Sequence, residues 1–190
     1  NISHYPIHIK LDTGMHRLGF EPHLIDELCS LLKNNNFVKV KSVFSHLAAS
    51  DNLQFDDFTK LQFQRFDAMY SELEKVLPSK PIRHILNTSG IFNYAEKQME
   101  MVRLGIGLYG IGNSEQELKV LENVSTLKTI ISQIREVLPE ESIGYSRRFR
   151  VTQKMKVATI PIGYADGIRR AWGNEKGFVT INNQKATILG

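Results

Sequence analysis

Across roughly the first hundred residues an apolar strand, a polar loop and a helix follow one another four times, and no other feature limits the possible folds as much. Ile7, Ile9 and Leu11 alternate with His8, Lys10 and Asp12, the two-residue period of a strand with unlike faces. A glycine-punctuated loop from Asp12 to Phe20 leads to Glu21 and Pro22, a good helix start because proline is tolerated in a first turn. Leu24, Ile25, Leu28, Leu31 and Leu32 line one face of that helix, and Asn34, Asn35 and Asn36 stop it. Residues 37–44 read as the second strand, delivering Ser45, His46 and the segment to Asp51 at its C-terminal end. A longer helix is predicted over 56–77, with Phe66, Met69, Tyr70, Leu73, Val76 and Leu77 as its stripe and Pro78 as its stop. Residues 82–86 form a third strand, and Asn87 caps a short helix running to Ala95. Met101 to Leu104 is the fourth strand. Such alternation predicts parallel βαβ units, whose chemistry gathers at the C-terminal strand ends.

After Gly112 the pattern changes. Residues 127–137 are β-branched and alternating, residues 156–162 read as another strand, and residues 178–181 and 185–189 pair as a hairpin around Asn182 and Asn183. The fold class is therefore α/β, followed by a mostly antiparallel β region, with a boundary between residues 112 and 124.

Arg103 stands where the fourth strand passes into alternating glycines at Gly105, Gly107 and Gly110. A buried arginine needs an anion or a good acceptor, and backbone N–H groups of a glycine turn can approach a ligand closely. That reading implies a ligand carrying a phosphate and a polar ring. The same stretch also reads as a strand ending in a turn, with Arg103 in a structural ion pair, and the residues alone leave both open. Lys10, Arg17, His46, Asn87 and Thr88 also stand at strand ends, while Tyr145 and Tyr164 occupy glycine-flanked turns. Singly, His46 reads as a satisfied core histidine, Lys10 as a surface lysine and Tyr145 as a packing aromatic. A barrel would gather the strand ends into one mouth.

Composition narrows the classes. The net charge of +4 is small and the basic residues are scattered, which argues against nucleic acid or a membrane surface as partner. No apolar run reaches the length of a membrane span, and no signal-peptide pattern opens the chain. The one cysteine, Cys29, lies on the apolar side of a helix, excludes an internal disulfide and fits a reducing, cytoplasmic setting. No histidine or cysteine spacing matches a metal site, and neither a P-loop, a dinucleotide fingerprint nor a G-x-S-x-G elbow occurs. The chain opens at Asn1 without an initiator methionine and stops just after a strand-like segment, so it reads as an internal piece of a longer protein.

Six stretches in order resemble the alanine racemases, pyridoxal-phosphate (PLP) enzymes built from an α/β barrel and a C-terminal β domain. They are Lys10–Gly19, Ser45–Asp51, Asn87–Ser89, Val102–Gly110, Gly144–Ser146 and Ile162–Gly167. The wording is also similar to racemases fused behind a ligase that adds D-alanyl-D-alanine to the cell-wall precursor. The resemblance implies the C-terminal part of a TIM-like barrel over 1–115 and the start of the β domain over 116–190. It implies interconversion of L- and D-alanine by two-base proton transfer at Cα, with D-alanine going to peptidoglycan.

By resemblance, Arg103 faces the pyridine nitrogen; being always protonated, it donates to that nitrogen without protonating it. Decarboxylases of the same fold place a carboxylate there, so Arg103 favours a racemase over that alternative. A PLP carrier without turnover would resemble the barrel alone, and the β region counts against it. Tyr145 matches the base on one face of the substrate and enters the partner's barrel in a homodimer, with His46 linking it to Arg103. Arg17 matches the group that binds the substrate carboxylate and the cofactor's phenolic oxygen, and Lys10 a lysine, often carbamylated, that braces it. Asn87, Thr88, Gly105 and Ile106 match the phosphate cradle, where the family more often has serine at the Thr88 position. Tyr164, Arg170 and Asp51 match the narrow passage to the site. The family's Schiff-base lysine, which is also its second base, lies N-terminal to the Lys10 motif and is missing. So are a later aspartate-containing motif and a C-terminal phosphate-binding tyrosine, and this piece alone should not racemise alanine.

Overall fold

A computed structural model describes residues 3–190, so the first two residues of the region expected over 1–115 lie outside the described residues. Two compact units are present, one ending at Ser125 and one spanning Thr126–Gly190.

In the first unit, β1 (Tyr5–Lys10), β2 (Val38–Phe44) and β3 (Ile82–His84) form a parallel sheet in the order β1-β2-β3, with a register irregularity between Ile7 and His8. Helix α1 (Ile25–Leu32) follows a 3₁₀ turn over Pro22–Leu24, and α2 (Asp56–Val76) follows another over Leu53–Phe55. Asn52 opens the second turn by accepting from the Gln54 N–H. Asp56 and Asp57 in the first turn of α2 and Lys75 in its last suit the helix dipole. Helix α3 (Thr88–Asn93) is capped by Asn87, and α4 (Glu115–Val120) by Ser114.

The core lies between the sheet and the long helices. Ile9 and Val43 from the strands, with Leu11 just past β1, meet Ile25 and Leu28 of α1 and Phe63, Phe66, Met69, Tyr70 and Leu73 of α2. Burying side chains of this size contributes about 1.5–3 kcal/mol each and holds the strand ends in register. Cys29 is half-buried against this cluster, a packing thiol.

The fourth strand expected at residues 101–104 is not a strand. That segment has no regular structure and one sheet-like bond, from the Arg103 N–H to the Leu86 carbonyl, and a 3₁₀ turn begins after Gly105. Glycine there gives the ladder no side chain to pack and admits the sharp change of direction.

In the second unit, β4 (Gln133–Val137) pairs antiparallel with β7 (Met155–Thr159). Likewise β5 (Ser142–Ile143) pairs with β6 (Phe149–Arg150), and β8 (Phe178–Ile181) with β9 (Gln184–Thr187). The strand predicted over 127–137 is shorter, beginning at Gln133, because residues 126–131 find no ladder partner among the described residues. Asn182 and Asn183, at φ of 48° and 63°, make the two-residue turn between β8 and β9. Among the described residues no helix is long and apolar enough to cross a membrane.

Candidate functional site

The loop after β1 is built around one carboxylate. Asp12 is buried, and its Oδ1 accepts from the N–H groups of Gly14, Met15 and His16 at 2.9, 3.0 and 3.1 Å, its Oδ2 from that of Arg17 at 3.1 Å. Burial alone would raise its pKa; the hydrogen bonds from Gly14, His16 and Arg17 and the charge of His16 outweigh that and lower it. The loop then closes on itself, Phe20 N–H reaching the Lys10 carbonyl at 2.9 Å, and Gly19 is needed because a Cβ there would lie 2.9 Å from that carbonyl oxygen. Arg17 is left exposed beside the half-buried Lys10. Desolvation lowers the Lys10 pKa; the Arg17 and Arg103 charges act with it and Asp12 against it.

A fully buried glutamine joins this loop to the next. Gln62 of α2 donates to Thr13 Oγ1 at 3.2 Å and to the His46 carbonyl at 3.0 Å, and accepts from the Ala48 N–H at 2.9 Å. Thr13 also bonds the Ser45 hydroxyl at 2.8 Å, and Ser45 donates to the Leu11 carbonyl at 2.7 Å. Both strand-end loops are thus fixed by the same buried polar knot.

Arg103 enters the site from beyond β3. One terminal nitrogen contacts His84 Nδ1 at 2.5 Å and the His84 carbonyl at 3.2 Å. The other reaches the Ser45 carbonyl at 2.6 Å, His46 Nδ1 at 3.2 Å and the Ile85 carbonyl at 3.3 Å. Its guanidinium lies 5.2 Å from the Phe44 ring centre, and the His84 ring stacks on the same phenylalanine. No carboxylate pairs with it among the described residues, and its Nε has no protein acceptor. Because arginine only donates, both imidazoles must present a bare Nδ1 and carry their proton on Nε2. Burial and the Arg103 charge push the His84 pKa down to about 4, with a smaller push from His8. His46 moves the same way, through burial and then the charges of Arg103, Arg17 and Lys10. The result is a basic cluster in which the Asp12 carboxylate is taken up by backbone amides.

Next to it is a small cradle. The N–H groups of Gly105 and Gly107 both point at Thr88 Oγ1, at 3.1 Å each. A Cβ on Gly107 would fall 2.6 Å from Thr88 Cγ2, so only glycine allows this approach. A hydroxyl that accepts two N–H bonds keeps its own hydrogen for an acceptor, and a phosphate oxygen is such a group. Asn87 supports the cradle from behind: its Oδ1 accepts from the Gly90 N–H at 2.9 Å and the Ser50 hydroxyl at 2.7 Å. Ile106 lies on the exposed 3₁₀ turn between the two glycines.

Lys10, Arg17, His46, Arg103, Asn87, Thr88, Gly105 and Ile106, expected together, all fall in the first unit. No hydrogen bond or ion pair joins Asp51, exposed on the turn after Ser50, to any of them among the described residues. The second unit carries Tyr145, Tyr164 and Arg170. Tyr145 is 83% exposed on the connection from β5 to β6, between positive φ angles at Gly144, Ser146 and Arg147. Such backbone is strained for serine and arginine. Tyr164 and Arg170 lie on two further exposed 3₁₀ turns. Gly144 and Gly173 both back onto Gly190, which brings the Tyr145 turn near the one that holds Arg170.

His84 and Ser45 were not among the expected site residues. For His84 the available signal was a polar residue at the end of a strand of a parallel sheet, where both faces are normally apolar, and Ser45 directly follows β2.

Comparison with known proteins gives a consistent answer. The alanine racemase N-terminal domain matches residues 2–113 and the alanine racemase C-terminal domain residues 124–190. An alanine racemase of Clostridium tetani is 38% identical over 189 residues, covering 97% of this chain and 48% of the relative. The solved alanine racemase of Clostridium difficile 630 superposes with a TM-score of 0.81 at 30% identity, over 98% of this chain and 49% of that one. That of Bartonella henselae, described with covalently bound pyridoxal phosphate, has a TM-score of 0.77 at 28% identity, over 97% and 50%. The chain spans about half the length of the relatives it matches.

Proposed function

The chain belongs to the alanine racemase family, and on that premise we propose that it is the PLP-holding part of a cytoplasmic, homodimeric enzyme interconverting L- and D-alanine for peptidoglycan. The observation that carries this reading is the arginine held by two neutral imidazoles with no carboxylate paired to it among the described residues. A basic cluster beside an N–H cradle suits a ligand with a phosphate and a substrate with a carboxylate. The residues present fit PLP: Thr88 has a hydroxyl hydrogen to give a phosphate oxygen, and Arg103 has an Nε–H to give a ring nitrogen.

Once bound, PLP supplies an electron sink that acidifies the substrate Cα–H. Arg103 tempers that sink, since it donates a hydrogen bond and keeps its proton. Arg17 pairs with the substrate carboxylate, held by the Asp12 loop. The depressed pKa of Lys10 raises its share of neutral amine, the form that takes up carbon dioxide to give the bracing carbamate. Tyr145, exposed on its strained turn, reaches across the dimer and moves the proton on one face of Cα. A phenol needs positive surroundings to act as a base near neutral pH. Arg103 supplies the positive charge and His46 the hydrogen bond, its Nδ1 facing Arg103 and its Nε2–H left to donate to the phenolate. Tyr164, Arg170 and Asp51 narrow the approach to small amino acids.

The test is chiral analysis of alanine incubated with a protein extended at both ends to the relatives' length. We expect racemisation, and a fall of roughly 10²–10⁴-fold in kcat/KM in Tyr145→Phe, equal in both directions because the two enantiomers are equal in free energy. Full activity in that variant removes Tyr145 from the mechanism; absence of racemisation in the extended protein overturns the reading.

A further inference from the structure

The contact between Arg103 and His84 does not end at His84. The far nitrogen of that ring, Nε2, lies 3.0 Å from the Ser42 hydroxyl, and the same hydroxyl lies 2.6 Å from His8 Nδ1. Three adjacent parallel strands thus supply one polar line through the sheet: His8 from β1, Ser42 from β2 and His84 from β3. Ser42 and His84 are buried, whereas His8 is exposed at the outer end.

The direction of every bond in this line follows from its first member. Arginine has no acceptor, so His84 Nδ1 must be bare. The neutral ring then carries its hydrogen on Nε2 and gives it to Ser42 Oγ. The serine, having accepted, gives its own hydrogen to His8, whose Nδ1 is bare in turn.

We propose that Ser42 and His8 are positioning residues for Arg103, forming a one-way donor relay from Arg103 through His84 and Ser42 to His8 that fixes which edge of the His84 ring the guanidinium meets. The carbonyls of Ser45, His84 and Ile85 determine where the guanidinium sits, but a carbonyl accepts over a broad range of directions. An imidazole nitrogen has a single in-plane lone pair and accepts along one line. His84 therefore sets the tilt of Arg103 only if its own ring is held. Stacking on Phe44, with centroids 4.9 Å apart and planes 4° from parallel, restrains the ring plane. It does not distinguish the two edges, because a half-turn about the ring's bond keeps the plane and presents a carbon in place of Nδ1. The bond from Nε2 to Ser42 makes that distinction, and His8 in turn orients the serine hydroxyl. The effect of the relay on turnover rests on the racemase reading; the relay itself does not.

The experiment uses the protein extended to its relatives' length, labelled with ¹⁵N in histidine and arginine, with and without PLP. Two-bond proton–nitrogen spectra are expected to show His84 and His8 each with a bare Nδ1 and a protonated Nε2, the His84 Nε2–H being protected from solvent. In Ser42→Ala, hydrogen exchange at His84 Nε2 and at the Arg103 side chain rises at least roughly tenfold as two linked bonds are lost. Ser42→Thr, which keeps the hydroxyl, restores protection. His8→Leu tests the same line from its exposed end without touching a buried position, and gives a smaller change in the same direction. In alanine turnover, Ser42→Ala lowers kcat about fivefold with KM unchanged, the size of one neutral hydrogen bond. A proton on His84 Nδ1, or unchanged exchange in both Ser42→Ala and His8→Leu, overturns the relay even if the enzyme racemises alanine. If the nitrogen signals behave as stated and alanine is not racemised, the relay stands and the proposed function falls.

Discussion

The two units hold their functional side chains in opposite ways. Through Ser125, fourteen buried apolar residues among those described form one cluster, and every buried polar residue described, from Asp12 to Glu117, belongs to this unit. Arg103, His46 and Thr88 are each held there by named partners on other elements. In Thr126–Gly190, Val151 alone is buried among the apolar side chains described, and Leu127, Ile130, Ile134 and Tyr145 are more than half exposed. Its candidate residues are delivered by turns, and the backbone fixes them before any side chain touches them. The first unit thus holds its polar side chains in fixed positions among buried partners, while the second presents its own on exposed turns.

The largest expected difference comes from making one substitution in both regions. Gln62→Leu removes the amide that joins Thr13, the His46 carbonyl and the Ala48 N–H, and leaves buried polar groups without partners. A cost of about 3–5 kcal/mol is expected. Gln133→Leu, on an exposed strand of the second unit, should cost under about 0.5 kcal/mol. Urea denaturation of the two variants measures both. Equal costs would show that the contrast between the units is not real.

A second difference is in the response to acid. His84 titrates at about 4 in the folded chain and near the ordinary 6.5 when unfolded. The unfolded state therefore binds more protons between those values, and stability present above pH 6.5 is lost as the pH falls to about 4. His46, shifted in the same direction, adds to the loss. The His84 contribution is on the order of 2 kcal/mol. Replacing it by a group that does not titrate, His84→Asn, should flatten the denaturation midpoint between pH 6.5 and 4.5. A profile unchanged by that substitution would remove His84 as the acid-sensitive point of the first unit.

Periodicity made the first unit legible. The two-residue alternation at Ile7, Ile9 and Leu11 gave β1, the leucine stripe gave α1, and the Asn87 cap was placed correctly before Gly90. Arg103 stood out because a cation at a strand end needs an anion or a good acceptor, and the acceptors it has are two imidazoles and the Ser45, His84 and Ile85 carbonyls. Its immediate holders did not stand out. Ser42 and His84 look like ordinary interruptions of apolar strands, and only the alignment of three strands reveals that they face one another. Gln62 was missed because a polar residue in a helix reads as solvent-facing until a loop is known to lie over it. In the second unit, the β character of residues 127–137 was visible, but strand length depends on a ladder partner that local sequence does not specify.

The smallest expected effect lies in the hairpin of the second unit, where the turn and the first strand fall as expected and the second strand spans Gln184–Thr187 in place of 185–189. Asn182 and Asn183 both adopt left-handed backbone in the turn between β8 and β9, at φ of 48° and 63°. That geometry belongs to a two-residue turn whose twist matches the strands, and its second position favours glycine. Asparagine tolerates the conformation better than most residues but still carries a Cβ. Asn183→Gly should therefore stabilise the hairpin by a few tenths of a kcal/mol to about 0.5 kcal/mol, and Asn183→Ala should destabilise it by about 1 kcal/mol. Amide exchange at Thr180 and Lys185, which pair across this hairpin, reports the change locally. If the unit is held together by its turns, protection should follow the turn substitution with the second unit's other strands little affected. If exchange in β4 and β7 follows equally, the unit folds as one body, and its exposed apolar residues contribute more to its cohesion than their accessibility suggests.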